Sequence, residues 1–161
     1  MTTNVTATLA DFAAGLKLED IPEQVRENCR VLLLDTLACA LAGHLGEETA
    51  QVAAMAGALG HSEELSIIGG SRSSLAGTTL LNGFLITAVT MCDVHRSTLT
   101  HITPEVMPAA LAIAERDGLS GRDLMVALVA GCETATRIGL GLDFPEFRKR
   151  GWHGQIGRAH V

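Results

Sequence analysis

Apolar residues recur at helical spacing along most of this chain, interrupted by short polar or glycine-bearing segments, and the pattern predicts six helices and one isolated extended stretch. Leu9, Phe12, Ala13 and Leu16 form the stripe of a short amphipathic first helix, opening after Thr8 with Asp11 as an imperfect capping box. A clearer start follows. Asp20 is placed to accept from the Glu23 amide, Glu23 to bond back, and Pro22 to occupy the first turn, where its missing N–H costs nothing. Val25, Cys29, Leu32, Leu33, Thr36, Leu37, Ala40 and Leu41 then line one face, while Val31, Leu34 and Ala38 make the other apolar until Gly43. A helix apolar all round is expected to be central and buried.

A third helix is predicted over residues 47–59, turning Val52, Met55, Ala56 and Leu59 inward, with Gly60 as its stop. Leu65-Ser66-Ile67-Ile68 is too short for a helix and runs into Gly69-Gly70, which reads as an extended piece and a turn without a strand partner. A fourth helix spans about residues 74–91, and its small residues Ala76, Gly77, Gly83 and Ala88 permit close helix contact. The fifth takes Thr103 as cap and Pro104 as first residue and runs to Asp117, with Gly118 beyond. The sixth takes Ser120 as cap and Asp123 three residues on, with Leu124, Leu128, Cys132 and Ala135 inward. After Gly141 the periodicity fades into Asp143-Phe144-Pro145 and a basic cluster. The expected fold class is all-α, a multi-helix bundle-like domain.

Composition narrows the picture. Hydrophobic residues make up 47% of the chain but aromatics only 3%, a palette for packed helices rather than a β-sandwich. The formal net charge of −6 offers no global attraction to phosphate backbones or anionic lipid, so neither nucleic acid nor membrane is expected as a partner. The longest nearly apolar run, residues 31–42, is broken by Asp35 and is too short to cross a bilayer. The first fifteen residues lack the layout of a secretory signal, and the expected location is cytoplasmic. Cys29, Cys39, Cys92 and Cys132 lie without paired spacing and read as reduced thiols.

Titratable groups concentrate in one loop, Cys92-Asp93-Val94-His95-Arg96-Ser97-Thr98-Leu99-Thr100-His101, between two strongly apolar helices. Imidazole exchanges a proton near neutral pH, a neighbouring carboxylate can fix its tautomer, and a guanidinium can hold a substrate carboxylate in a fork of hydrogen bonds. These are the parts for proton transfer beside a carboxylate. The plainer alternative is that Asp93 caps a turn, His95 and Arg96 are solvated, and His101 bonds a backbone carbonyl. A zinc site from Cys92, His95 and His101 is a third reading, without a second Cys-x-x-Cys pair or a His-Glu-x-x-His helix to strengthen it. His153, in Arg150-Gly151-Trp152-His153-Gly154, is either a cleft residue or an exposed loop histidine, and Arg148, Lys149 and Arg150 read as a solvated face.

Several stretches, in order and spacing, resemble the MmgE/PrpD family across residues 8–155: Leu9-Ala10-Asp11-Phe12, Leu33-Leu34-Asp35-Thr36-Leu37-Ala38-Cys39-Ala40-Leu41-Ala42-Gly43, Leu81-Asn82-Gly83, Asp93-Val94-His95-Arg96-Ser97, Thr100-His101, Pro108-Ala109-Ala110-Leu111-Ala112, Ala114-Glu115, Ser120-Gly121-Arg122-Asp123, Ala130-Gly131-Cys132-Glu133 and Arg150-Gly151-Trp152-His153-Gly154. The resemblance implies the N-terminal piece of a helical domain that carries the active site, completed in full-length members by further helices and an α+β domain, in a homodimer. It implies 2-methylcitrate dehydratase-like chemistry, cis-aconitate decarboxylation or epimerisation of iminodisuccinate-type compounds, with no cofactor and no metal. The family's loop histidine matches His101, its glycine-flanked histidine His153, and its aspartate before the loop histidine Asp93.

There are departures. Thr87 and Thr90 stand where many members have a histidine and an aspartate, and Cys92 where another aspartate often stands. Threonine hydrogen-bonds a substrate but is no base near pH 7, which leaves the burden on His101. The expected function is a metal-independent lyase or isomerase for a small di- or tricarboxylic acid, with His101 as acid/base, Asp93 and His95 in support, and Arg96 and His153 on carboxylates. The rival is a non-catalytic helical interaction domain. The chain alone is expected to be inactive and prone to self-association. Residues 1–155 are expected to form the partial domain and 156–161, Ile-Gly-Arg-Ala-His-Val, a non-native tail, because a widely used sequencing adapter encodes that hexapeptide in one frame.

Overall fold

The computed structural model describes residues 4–142 and 144–152, so the glycine-flanked His153 and the final hexapeptide lie outside the described residues. The architecture is all-α. Among the described residues there are seven α-helices and one two-stranded hairpin: α1 (Val5–Gly15), α2 (Glu23–Gly43), α3 (Thr49–Ala58), β1 (Leu65–Ser66), β2 (Arg72–Ser73), α4 (Leu75–Ala88), α5 (Thr103–Arg116), α6 (Gly121–Gly141) and α7 (Phe144–Lys149). The chain does not stop being helical at Gly141, as the fading periodicity suggests. Glu146 pairs with Arg150 at 3.0 Å across one turn, and Phe147 stacks on Trp152, so local pairs support α7 where an apolar stripe does not.

Helix α4 is the hub, packing against α2, α3 and α5. Leu81, Leu85 and Ile86 of α4 meet Cys39 and Ala40 of α2, Ala56 of α3, Met107 of α5 and Leu128 of α6 in the buried core. The crossings are close because small residues stand at them. A Cβ on Gly43 would come within 2.0 Å of the Leu85 carbonyl oxygen, and one on Gly77 within 2.6 Å of the Ala56 oxygen. Gly77 thus does what its place in the sequence suggests.

Several local starts differ from the sequence reading. Asn4, not Thr8, caps α1 by accepting from the Ala7 amide, and the Thr8 hydroxyl bonds the Asn4 carbonyl from inside the helix. Asp20 ends a single 3-10 turn, its carboxylate accepting from the Lys17 amide, and α2 begins at Glu23 after Pro22. By contrast Ser120 and Asp123 form a reciprocal capping box on α6, as their spacing predicts, and α4 starts where its pattern does, with Ser74 as its cap.

The fully buried α2 is not found. Thr36, Cys39, Ala40 and Gly43 are buried, but Val31, Leu34, Ala38 and Leu41 face outward, Leu34 at 68% exposure, as does Leu45 just past the helix end. Met55 and Leu59 of the α3 segment also point out, leaving Val52, Ala53 and Ala56 as its inward face. The extended segment does have a partner: Leu65 pairs with Ser73 and Ser66 with Arg72, antiparallel, around a turn in which Gly69 takes φ +71°. Asn82 binds this hairpin to α4, its Oδ1 accepting from the Ile68 amide at 2.9 Å and its Nδ2 donating to the Ser66 carbonyl. Glu115 of α5 accepts from both the amide and the hydroxyl of Ser66 and pairs with Arg72.

Helix α6 departs from one further expectation, being long and apolar enough to cross a membrane by length and composition. In this fold it packs on α5 and α1 and carries the Glu133–Arg137 ion pair on its surface.

Candidate functional site

The polar loop leaves α4 through Thr90, which takes φ +54°, an uncommon conformation for a β-branched residue and a position where helices usually place glycine. A second left-handed residue, Leu99 at φ +52°, closes a tight turn in which the Thr98 and Leu99 amides both donate to the His95 carbonyl. The His95 amide donates to the Thr100 carbonyl at 2.8 Å, making a single antiparallel bridge. Inside this turn Thr98 is only 1% exposed. Its hydroxyl lies 2.9 Å from His95 Nδ1 and 2.6 Å from the Thr100 hydroxyl, and its methyl lies against Gly139 of α6. The loop is therefore pinned to the scaffold by a threonine.

Asp93 has a structural task. Its carboxylate accepts from the Ile102 amide at 3.3 Å, from the Thr103 amide at 3.1 Å and from the Thr103 hydroxyl. Thr103 is thus the first residue of α5 rather than its cap, and the capping oxygen comes from ten residues earlier in the chain. A negative charge there is also favoured by the helix dipole. Burial raises the thiols of Cys39 on α2 and Cys132 on α6, and the charge of Asp93 adds a smaller push in the same direction.

His101 immediately precedes the residues that Asp93 holds. Its ring is partly buried, with Nδ1 3.2 Å from Cys92 Sγ and no hydrogen-bonding partner for Nε2 among the described residues. Of the plainer alternatives, Asp93 does cap and Arg96 is exposed without an ion-pair partner among the described residues, but His101 bonds a thiol rather than a backbone carbonyl. Of the zinc reading, Cys92 and His101 are together while His95 Nδ1 is held by Thr98; no group of three His, Cys, Asp or Glu side chains among the described residues is arranged to hold a metal ion.

One residue absent from the sequence reading joins the site. Glu105, in the first turn of α5, has its carboxyl raised above the ordinary range by desolvation, with His101 opposing the rise and Asp93 adding to it. It is close enough to both to feel their charge. The signal was available in principle, since Glu105 lies four residues after His101 at a helix start, but without the fold it reads as a common first-turn acid. A separate cavity of about 280 Å³ lies between α3 and the hairpin, lined by His44, Thr49, Gly57, Arg72 and neighbours. It shares no lining residue with the loop.

Chemically, the loop presents an imidazole engaged by a thiol at Nδ1, with no partner for Nε2 among the described residues and with Glu105 near enough to feel its charge. Comparison with known proteins bears on what that serves. A cis-aconitate decarboxylase-like protein of Aspergillus oryzae is 35% identical over 158 residues, covering 93% of this chain and 33% of that protein. A cis-aconitate decarboxylase of Aspergillus terreus is 28% identical over 155 residues, covering 92% of this chain and 32% of that protein. The chain therefore spans about a third of the length of these relatives. No solved structure matches. The MmgE/PrpD N-terminal domain matches residues 7–161, nearly the whole sequence, and the chain accordingly belongs to the MmgE/PrpD family.

Proposed function

We propose that this chain is the helical, site-bearing part of a lyase or isomerase that moves a proton next to a carboxylate on a small di- or tricarboxylic acid. The observation that carries the reading is His101, partly buried, with Nδ1 engaged by Cys92 and Nε2 available to a substrate. An imidazole fixed through one nitrogen presents the other in a set orientation, which general acid–base catalysis needs. Asp93 serves by position, fixing the end of the loop on α5 so that His101 is held beside the helix start. Arg96, exposed at the loop tip, is the group suited to a substrate carboxylate. The family membership and the decarboxylase names of the relatives support a lyase acting on a compound of the cis-aconitate type. Dehydration of a 2-methylcitrate-like acid, a homodimeric assembly, a cytoplasmic location and a contribution of His153 to carboxylate binding belong to the same proposal.

The test is carbon-bound hydrogen exchange and product formation with citrate-like and succinate-like acids, using the protein at the full length of its relatives. His101→Ala should lower turnover by roughly 10²–10⁴-fold. An unchanged rate would remove His101 from the role. A non-catalytic interaction domain is the second reading, favoured by the outward apolar line on α2. Failure of the full-length protein to exchange hydrogen or form product with any acid of the panel would favour it.

A further inference from the structure

The four thiols of this chain are chemically unequal. Cys29, Cys39 and Cys132 sit within the helix packing, and burial pushes each thiol above its ordinary range, Cys132 to about 12. The charge of Asp93 adds to the effect at Cys39 and Cys132. Such groups stay protonated and are poor nucleophiles at neutral pH. Cys92 differs in place and company. It is half-buried like Cys29 and Cys132, but it lies on the loop beyond α4 rather than in a helix, with its sulfur 3.2 Å from His101 Nδ1. That is hydrogen-bond reach for a nucleophile and a base.

We infer that Cys92 and His101 form a thiol–imidazole pair that makes Cys92 the covalent modification site of this chain for soft carbon electrophiles. His101 Nδ1 takes the thiol proton, the sulfur lone pair attacks the electrophilic carbon, and the proton later passes from the imidazole to solvent. With iodoacetamide a sulfur–carbon bond forms, the carbon–iodine bond breaks, and iodide leaves with the electron pair. The chemistry does not depend on the proposed enzymatic activity. If that activity also holds, the adduct removes the partner of His101 Nδ1 and silences the same imidazole.

The experiment treats the folded chain at pH 7 with a limiting amount of iodoacetamide and locates the adduct by peptide mass spectrometry. Label should appear at Cys92 about ten-fold faster than at Cys29, Cys39 or Cys132, and faster than at Cys92 of the same chain unfolded in urea. His101→Gln, with helicity checked by circular dichroism, should slow Cys92 labelling by about ten-fold. Labelling of another cysteine first, or a Cys92 rate the same in the folded His101→Gln chain, overturns the inference. Should His101→Gln fail to fold, the wild-type comparison decides: slower labelling of Cys92 in the folded chain than in urea overturns it, and faster labelling supports it.

Discussion

The Asp93 carboxylate and Thr103 are joined twice, one oxygen accepting from both the backbone N–H and the hydroxyl of Thr103, while the other oxygen takes the Ile102 amide. An acid that motif reading places in catalysis is thereby committed to the start of α5. Loss of an N-cap oxygen costs about 0.5–2 kcal/mol. Asp93→Ala should lower the free energy of unfolding by about that amount in urea titration, whereas Asp93→Asn, which keeps an acceptor, should lose less. An alanine variant with an unchanged midpoint would show that the bonds contribute nothing.

Gly43 is required by the approach of α2 to α4. A methyl group there meets backbone, which cannot rotate away as a side chain would. Gly43→Ala should destabilise by at least the 1–3 kcal/mol usual for overpacking, read as a fall in thermal midpoint. Gly57, in α3 with open space around its Cβ position, is the control. There alanine should stabilise by about 0.5–1 kcal/mol through helix propensity.

Glu105 and Glu115 should respond to pH with opposite signs. Desolvation raises the Glu105 carboxyl, so its ionisation is opposed in the folded state; stability is intact below the ordinary value of 4.5 and is lost as pH rises through the folded value. Glu105→Gln should therefore be more stable than wild type at pH 7, with the difference vanishing below about pH 4. Glu115 is held low, first by the Ser66 amide and then by the Ser66 hydroxyl and Arg72, so its contribution is present above 4.5 and lost as pH falls through the folded value. Glu115→Gln should be the less stable variant at pH 7 and converge with wild type in acid. Denaturation midpoints across pH check both, and a Glu105→Gln variant weaker at pH 7 would refute the first.

Val31, Leu34, Ala38 and Leu41 of α2 alternate by three and four residues, the spacing of a coiled-coil seam, and all face outward. An apolar line of this kind on a helix surface drives association. The chain alone should self-associate at micromolar concentration in sedimentation velocity, and Leu34→Glu should shift it toward monomer. A monodisperse wild-type monomer would count against the prediction.

Much of the fold was legible because its signals are local. The Ser120–Asp123 box, the start of α4 near residue 74 and the small residue at Gly77 stand where the sequence pattern put them. The misreadings occur where two local signals competed. Thr8 and Asn4 both suit a cap, and the residue four places earlier won; Asp20 bonds the Lys17 amide instead of that of Glu23. In the site, the sequence located the loop and its histidines, but it left open what each side chain binds.

By itself, the sequence determined the helical class, most element positions and the concentration of chemistry between α4 and α5, since periodicity and composition are properties of adjacent residues. Only the tertiary structure decided that Asp93 caps α5 from ten residues away, that Cys92 meets His101, that Glu105 joins them, and that α2 leaves Val31, Leu34 and Leu41 exposed. These depend on which helices lie side by side, and helix contact is set by the summed packing of many residues far apart in the chain, which no local pattern encodes.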